Sequence, residues 1–210
     1  MSSAADAPDL LRTGPADAAW TLVLAHGAGA PMDSPFLEAM ASGLAARQIQ
    51  VVRFEFPYMA ARRHGKGGPP DREPVLRASW QAVVETLGGG RRLFIGGKSM
   101  GGRIASLVAD ELGVRGLVCL GYPFHPPGQP EKLRAAHLAN LLTPALIVQG
   151  DRDTFGTREE VERYPLSPAI EKHFLADGDH SFEPRKRSGR TTAQAWDEAV
   201  ALVADFLARS

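Results

Sequence analysis

The sequence predicts an α/β domain: a mainly parallel central sheet of about six or seven strands, helices on both faces and no large cap domain. Three observations carry this expectation. Short apolar runs of strand length recur through the chain, segments with helical periodicity separate them, and Gly- or Pro-containing turns end most of the runs. A strand followed by a helix and a parallel strand makes a right-handed crossover, and repeating that unit covers both sheet faces.

The elements follow in order. Trp20–His26 reads as a buried strand ended by a glycine turn. Ser34–Arg47 reads as a helix with Phe36, Leu37, Met40, Leu44 and Ala45 along one side. Ile49–Phe56 is a second strand stopped by Pro57, and a basic Gly/Pro-rich loop runs from Met59 to Pro70. A helix is expected over Asp71–Leu87, a third strand over Arg91–Gly97, and a helix over Ser99–Leu112. A fourth strand covers Val114–Leu120. Tyr122–Leu142 opens as a Pro-rich loop and holds a short helix. Pro144–Gly150 is a fifth strand, Thr157–Tyr164 a helix, Ile170–Ala176 a sixth strand and Thr191–Ala208 a closing amphipathic helix. With neither an internal repeat nor a long linker, one domain over residues 1–210 is expected, with residues 1–18 as a mobile N-terminal segment.

Composition narrows the function classes. Apolar residues make up 44% of 210 and charged residues 23%, enough apolar material for a core. Lys plus Arg equal Asp plus Glu at 24 each, so no global field draws nucleic acid or an anionic membrane. The only cysteine, Cys119, sits in an apolar run and reads as a buried hydrophobe. Neither a signal-peptide pattern nor a membrane-length apolar stretch is present, so a cytoplasmic, soluble protein is expected.

The chemistry concentrates at strand ends. Gly97-Lys98-Ser99-Met100-Gly101 fits G-x-S-x-G where the third strand meets a helix. Such a turn strains the serine backbone, lifts the hydroxyl clear of the sheet and aims amides at developing negative charge. The rival, a phosphate-binding P-loop, needs glycine where Arg92 stands. A dinucleotide fingerprint at Gly27-Ala-Gly29 needs glycine at Met32.

A serine hydroxyl requires a base, and the base an acid to orient it. His180 follows the sixth strand within Asp177-Gly-Asp-His180, and Asp153 follows the fifth within Gly150-Asp-Arg-Asp153. Asp153 is preferred because a turn after Gly150 lets its carboxylate reach the imidazole, with Asp151 as the alternative acid. Of the other histidines, His26 reads as a structural hydrogen-bonder, His173 as packed or solvated, and His64 and His137 as surface residues. His125 is a candidate for the pocket. The amides of Met100 and Ala28, with Gly29 next in line, are the expected oxyanion donors.

These stretches resemble a small, cap-less, dienelactone-hydrolase-like branch of the α/β-hydrolase superfamily. The branch groups a vertebrate testis-expressed protein and a histone-acetyltransferase-complex subunit with many small bacterial proteins. The matching residues are His26–Ala30, Arg53–Met59, Gly96–Arg103, Gly121–Pro127, Gln149–Asp153 and Gly178–Phe182. The resemblance implies the superfamily's fold and carries a catalytic triad onto Ser99, Asp153 and His180. Dienelactone hydrolases use a cysteine nucleophile and dehalogenases an aspartate, so serine at 99 separates this chain from both chemistries.

The expected function is acyl transfer to water on a small ester or thioester, with no metal or organic cofactor. Tyr58, Tyr122, Phe124, His125, Phe155 and Phe182 are candidates to line the pocket. Two basic runs, Arg62–Lys66 and Arg185–Arg190, suggest as a hypothesis a positive rim favouring anionic substrates, against the plainer reading of solvated loops. Lys98 either pairs with a carboxylate such as Glu55 or points to solvent. The alternative function is a non-catalytic interaction module on a hydrolase scaffold.

Overall fold

The computed structural model describes residues 8–210. Seven strands form one sheet: β1 (Leu10–Thr13), β2 (Thr21–Ala25), β3 (Gln50–Phe54), β4 (Leu93–Lys98), β5 (Gly116–Leu120), β6 (Ala145–Gly150) and β7 (Ile170–Leu175). Their order across the sheet is β1-β3-β2-β4-β5-β6-β7. Every neighbouring pair is parallel except β1 with β3.

The apolar runs are continuous because both faces are covered. Along β2, Val23 and Ala25 face one core while Leu22 and Leu24 face the other. The same alternation recurs in β4, with Ile95 opposed to Phe94, and in β6, with Ile147 opposed to Leu146. One core packs under α3 (Glu73–Thr86), through Leu76, Trp80 and Val83, and α4 (Met100–Val108), through Ile104, Ala105 and Val108. The other packs under α1 (Pro35–Ala45), through Leu37, Met40 and Leu44, and α6 (Thr192–Arg209), through Ala199, Val203 and Phe206. The cap of α6 is a reciprocal pair, Thr191 with Gln194, which marks its start in the sequence.

The structure departs from the sequence expectations at three elements. Part of the segment expected to be mobile, Leu10–Thr13, is the antiparallel edge strand β1, joined to β3 by its ladder and by Arg53 Nη2 donating to Thr13 Oγ1 at 2.9 Å. Residues 1–7 lie outside the described residues. The loop expected after Pro57 begins instead as a seven-residue helix, α2 (Pro57–Arg63), with proline in its first turn. The helix expected over Thr157–Tyr164 shortens to α5 (Arg158–Val161), capped by Thr157 and Glu160.

The topology locates the site. From β2 the chain moves outward to β3, and from β4 onward it runs the other way, so the direction reverses between β2 and β4. Loops leaving the carboxyl ends of two strands at such a reversal diverge and leave a crevice. Ala25 and Gly97 are partners in the ladder there, which sets the turn after β2 beside the turn after β4.

Candidate active site

Ser99 sits between β4 and α4 with φ 51° and ψ −117°, in a left-handed region that costs a non-glycine residue of order 1–3 kcal/mol. The turn is held by close backbone approach. A Cβ on Gly101 would lie 2.6 Å from the His26 carbonyl oxygen, so glycine is required where α4 passes the end of β2. Ser99 N donates to Leu120 O at 3.0 Å, tying the turn to β5.

Three side chains meet at this edge. The Ser99 Oγ stands 2.8 Å from His180 Nε2, and His180 Nδ1 stands 2.7 Å from Asp153 Oδ2. Asp153 is fully buried. Its other oxygen accepts the Phe155 amide at 2.8 Å, and Oδ2 also accepts Gln149 Nε2 at 2.9 Å, so the carboxylate is satisfied and aimed. Asp151 makes neither a hydrogen bond nor an ion pair with His180; it sits at the strand exit, where its amide donates to Leu175 O. The Phe155 ring lies against the imidazole, with centroids 4.2 Å apart.

The His180 loop is fastened by polar contacts. Asp179 Oδ1 accepts the amides of Ser181 and Glu183 at 2.8 and 2.9 Å. Trp196 Nε1 of α6 donates to Ser181 O at 2.9 Å. Asp177 is paired with Arg152 and Arg185, and the Arg185 bonds hold its carboxyl down to about 2. Lys98 donates to the His180 carbonyl at 2.6 Å. Both sequence readings of Lys98 are thereby corrected: Glu55 is taken by Arg63, and the half-buried ammonium turns onto the His180 carbonyl.

Met100 is the first residue of α4, so its N–H has no partner within the helix. Across the crevice, the turn after β2 is oriented through its carbonyls. Tyr58 Oη donates to Ala28 O at 3.0 Å, and His26 Nδ1 lies 2.7 Å from Gly27 O. His26 Nε2 accepts the Phe56 amide at 3.1 Å, which makes Nδ1 the protonated nitrogen and the ring neutral. Burial lowers the His26 pKa in keeping with that state. Burial likewise pushes the Tyr58 phenol up to about 12, so it remains a donor.

A cleft of about 530 Å³ opens beside Ser99 and His180. Ala28 and Gly29 form part of its wall, as do Phe36, Lys98, Phe155 and Trp196. Of the six residues expected to line a pocket, only Phe155 does so. Tyr58 serves the turn from behind. Tyr122 and Phe124 are packed on each other, with Tyr122 Oη donating to Arg134 O. His125 is buried, with Nδ1 2.9 Å from Pro126 O, and Phe182 packs edge-on against Phe36 in the core. These aromatics plug the sheet end, which frees no apolar surface for a substrate. Phe36 and Trp196, which do form the wall, sit on the one-sided apolar stripes of α1 and α6. That stripe is the only sequence signal they carry, and it is the ordinary signal of a core position. His137, expected at the surface, is half-buried, with Nε2 2.8 Å from Ser106 Oγ.

Comparison with known proteins places the fold. A family model described as an alpha/beta hydrolase domain matches residues 18–208. The chain belongs to the alpha/beta hydrolase family. Among solved structures, an alpha-beta serine hydrolase homologue from Coxiella burnetii is 21% identical, with 95% of this chain and 89% of that chain covered and a TM-score of 0.68. An a/b serine hydrolase without lid from Xanthomonas campestris is 19% identical, with 96% and 88% covered and a TM-score of 0.68. A dienelactone hydrolase from Anabaena variabilis is 17% identical, with 95% and 90% covered and a TM-score of 0.71. The likeness is one of fold. It agrees with the absence of a large cap: the alpha/beta hydrolase sheet leads from β5 to β6 through residues 121–144, whose only helix is a single 3₁₀ segment, Ala136–Asn140.

Proposed function

We propose that this member of the alpha/beta hydrolase family is a serine hydrolase acting on a small acyl ester or thioester. One observation carries the reading: an unbroken hydrogen-bond line from Ser99 Oγ through the His180 imidazole to the buried Asp153 carboxylate. Ser99 Oγ attacks the acyl carbon while His180 Nε2 takes its proton. Asp153 holds Nδ1 protonated and stabilises the imidazolium. The amides of Met100 and Ala28 receive the oxyanion. His180 returns the proton to the departing alcohol or thiol, and water, deprotonated by His180, then releases the acid from Ser99.

The open cleft supports small or extended acyl groups. A preference for anionic esters would rest on Arg62, Lys66, Lys186 and Arg187, because Arg63, Arg185 and Arg190 are already in ion pairs. Neutralising those four and comparing anionic with neutral esters tests that preference; an unchanged ratio removes it. Cys119, free and buried, asks for no oxidising compartment, which supports a cytoplasmic setting.

The hydrolase reading is tested with a fluorophosphonate probe. Wild type is expected to be labelled and Ser99→Ala is not. An unlabelled, folded wild type would favour the non-catalytic interaction module instead.

A further inference from the structure

Lys98 is a half-buried ammonium beside the base, and the reaction scheme above gives it no task. Its Nζ donates to the His180 carbonyl at 2.6 Å. It also lies over the Phe36 ring, 5.6 Å from the centroid, at the wall of the cleft. Gly121 shows how tightly these groups converge. Its φ is +67°, and a Cβ there would sit 2.9 Å from His180 O, 3.0 Å from Lys98 Nζ and 3.4 Å from His180 Nδ1. The space a side chain would fill is shared by the ammonium, the loop carbonyl and the imidazole.

We propose that Lys98 is a positioning residue for His180, clamping the base loop onto the Ser99 turn through the His180 carbonyl and setting a positive charge beside the imidazole. The inference rests on the serine-hydrolase reading for its consequence, though not for its geometry. Few other charges face that imidazole. Asp153 is its hydrogen-bond partner, Asp179 lies in its own loop with both bonds of Oδ1 taken by backbone amides, and Glu183 borders the cleft. Asp177 in the same loop is matched by Arg152 and Arg185. From the helices, Glu38 of α1 is paired with Arg53 and Glu198 of α6 with Arg190. Two charges of opposite sign therefore bracket the imidazole, the Asp153 carboxylate on Nδ1 and the Lys98 ammonium on the loop carbonyl, and removing the ammonium takes a like charge out of the protonated ring's surroundings. Burial pulls the ammonium down to about 8, against the attraction of Asp153 and Asp179, so the clamp is charged at neutral pH and loses its charge through pH 8.

The test is an NMR titration of the His180 ring in wild type, Lys98→Met and Lys98→Arg, run beside the rate of fluorophosphonate labelling against pH. Lys98→Met keeps the chain length and removes the charge. It is expected to raise the His180 titration by about one pH unit, to shift the acid limb of the labelling rate with it, and to slow labelling near pH 6 about tenfold. Thermal stability should hold, since the desolvated charge is removed together with its one hydrogen bond, and Lys98→Arg should restore part of the titration shift. In wild type, the His180 ring signals should show a second inflection near pH 8 as Lys98 titrates, which keeps the idea testable if Lys98→Met does not fold. A His180 titration identical in folded wild type and Lys98→Met would overturn the proposal, as would a wild-type ring blind to pH 8. Failure of the hydrolase reading looks different: no labelling at any pH, with the ring titration still dependent on Lys98.

Discussion

The Ser99 turn and the His180 loop, 81 positions apart in the chain, are held by opposite kinds of force. Around Ser99 the constraint is steric: backbone crosses backbone so closely that only hydrogen fits at Gly101, and the serine takes a left-handed conformation as a result. Around His180 the constraint is largely polar: a lysine, an indole N–H, two arginines and two aspartates fasten the loop, with Phe182 packed in the core beside it. Sterics are indifferent to pH and salt, whereas charges are not. Changes of pH or salt should therefore disturb His180 while leaving Ser99 in place.

The largest effect is expected at the link between the two regions. Asp153→Asn preserves shape, but its amide can no longer hold the His180 Nδ1 proton, and turnover should fall about 1,000-fold or more with little change in melting temperature. A melting temperature that collapsed together with activity would mean the carboxylate is structural first. Next comes the steric side. Gly101→Ala forces a Cβ against the carbonyls of Ala25 and His26, and a loss of roughly 2–4 kcal/mol is expected in a urea denaturation series, at every pH. A cost that varied strongly with pH would contradict the steric account. On the polar side, Trp196→Phe deletes the bond to Ser181 O and should cost about 1 kcal/mol, seen as a few-fold slower labelling of Ser99.

The smallest effect concerns Asp177. Its pairing lowers the folded-state carboxyl from its ordinary 3.8 to about 2, so the contribution is complete above that ordinary value and disappears as pH falls toward 2. Limited proteolysis of segment 177–190 should show wild type opening across this interval. Asp177→Asn should already be open at pH 5, and equal cleavage at pH 5 would remove the ion pairs from the account.

How much of this was legible varied with the range of the forces involved. The strands from β2 onward and the long helices could be read locally because their apolar periods are short-range patterns. Ser99 could be read because its glycines and flanking elements are contiguous. By contrast β1 has only four residues, half of them polar, and exists through pairing with a strand 40 positions away. The α2 helix was hidden by a run of basic residues that suggested a solvated loop, although Pro57 followed by Tyr-Met-Ala-Ala carried a helix-start signal. The aromatics after strand ends were read as pocket and proved to be plugs, since aromatic character alone does not distinguish a lined cavity from a filled one.

From the amino-acid order alone came the layered α/β class, the strained serine turn, and histidine and aspartate at the ends of later strands. Those properties depend on residues within one turn or one strand of each other. The order also favoured Asp153 over Asp151, and the structure sets Asp153 against the imidazole; tertiary structure alone decided that Phe36 and Trp196 wall the cleft and that Lys98 grips the His180 carbonyl. Each of those outcomes depends on which distant backbone arrives within 3 Å of a side chain, a distance set by the twist and register of the sheet.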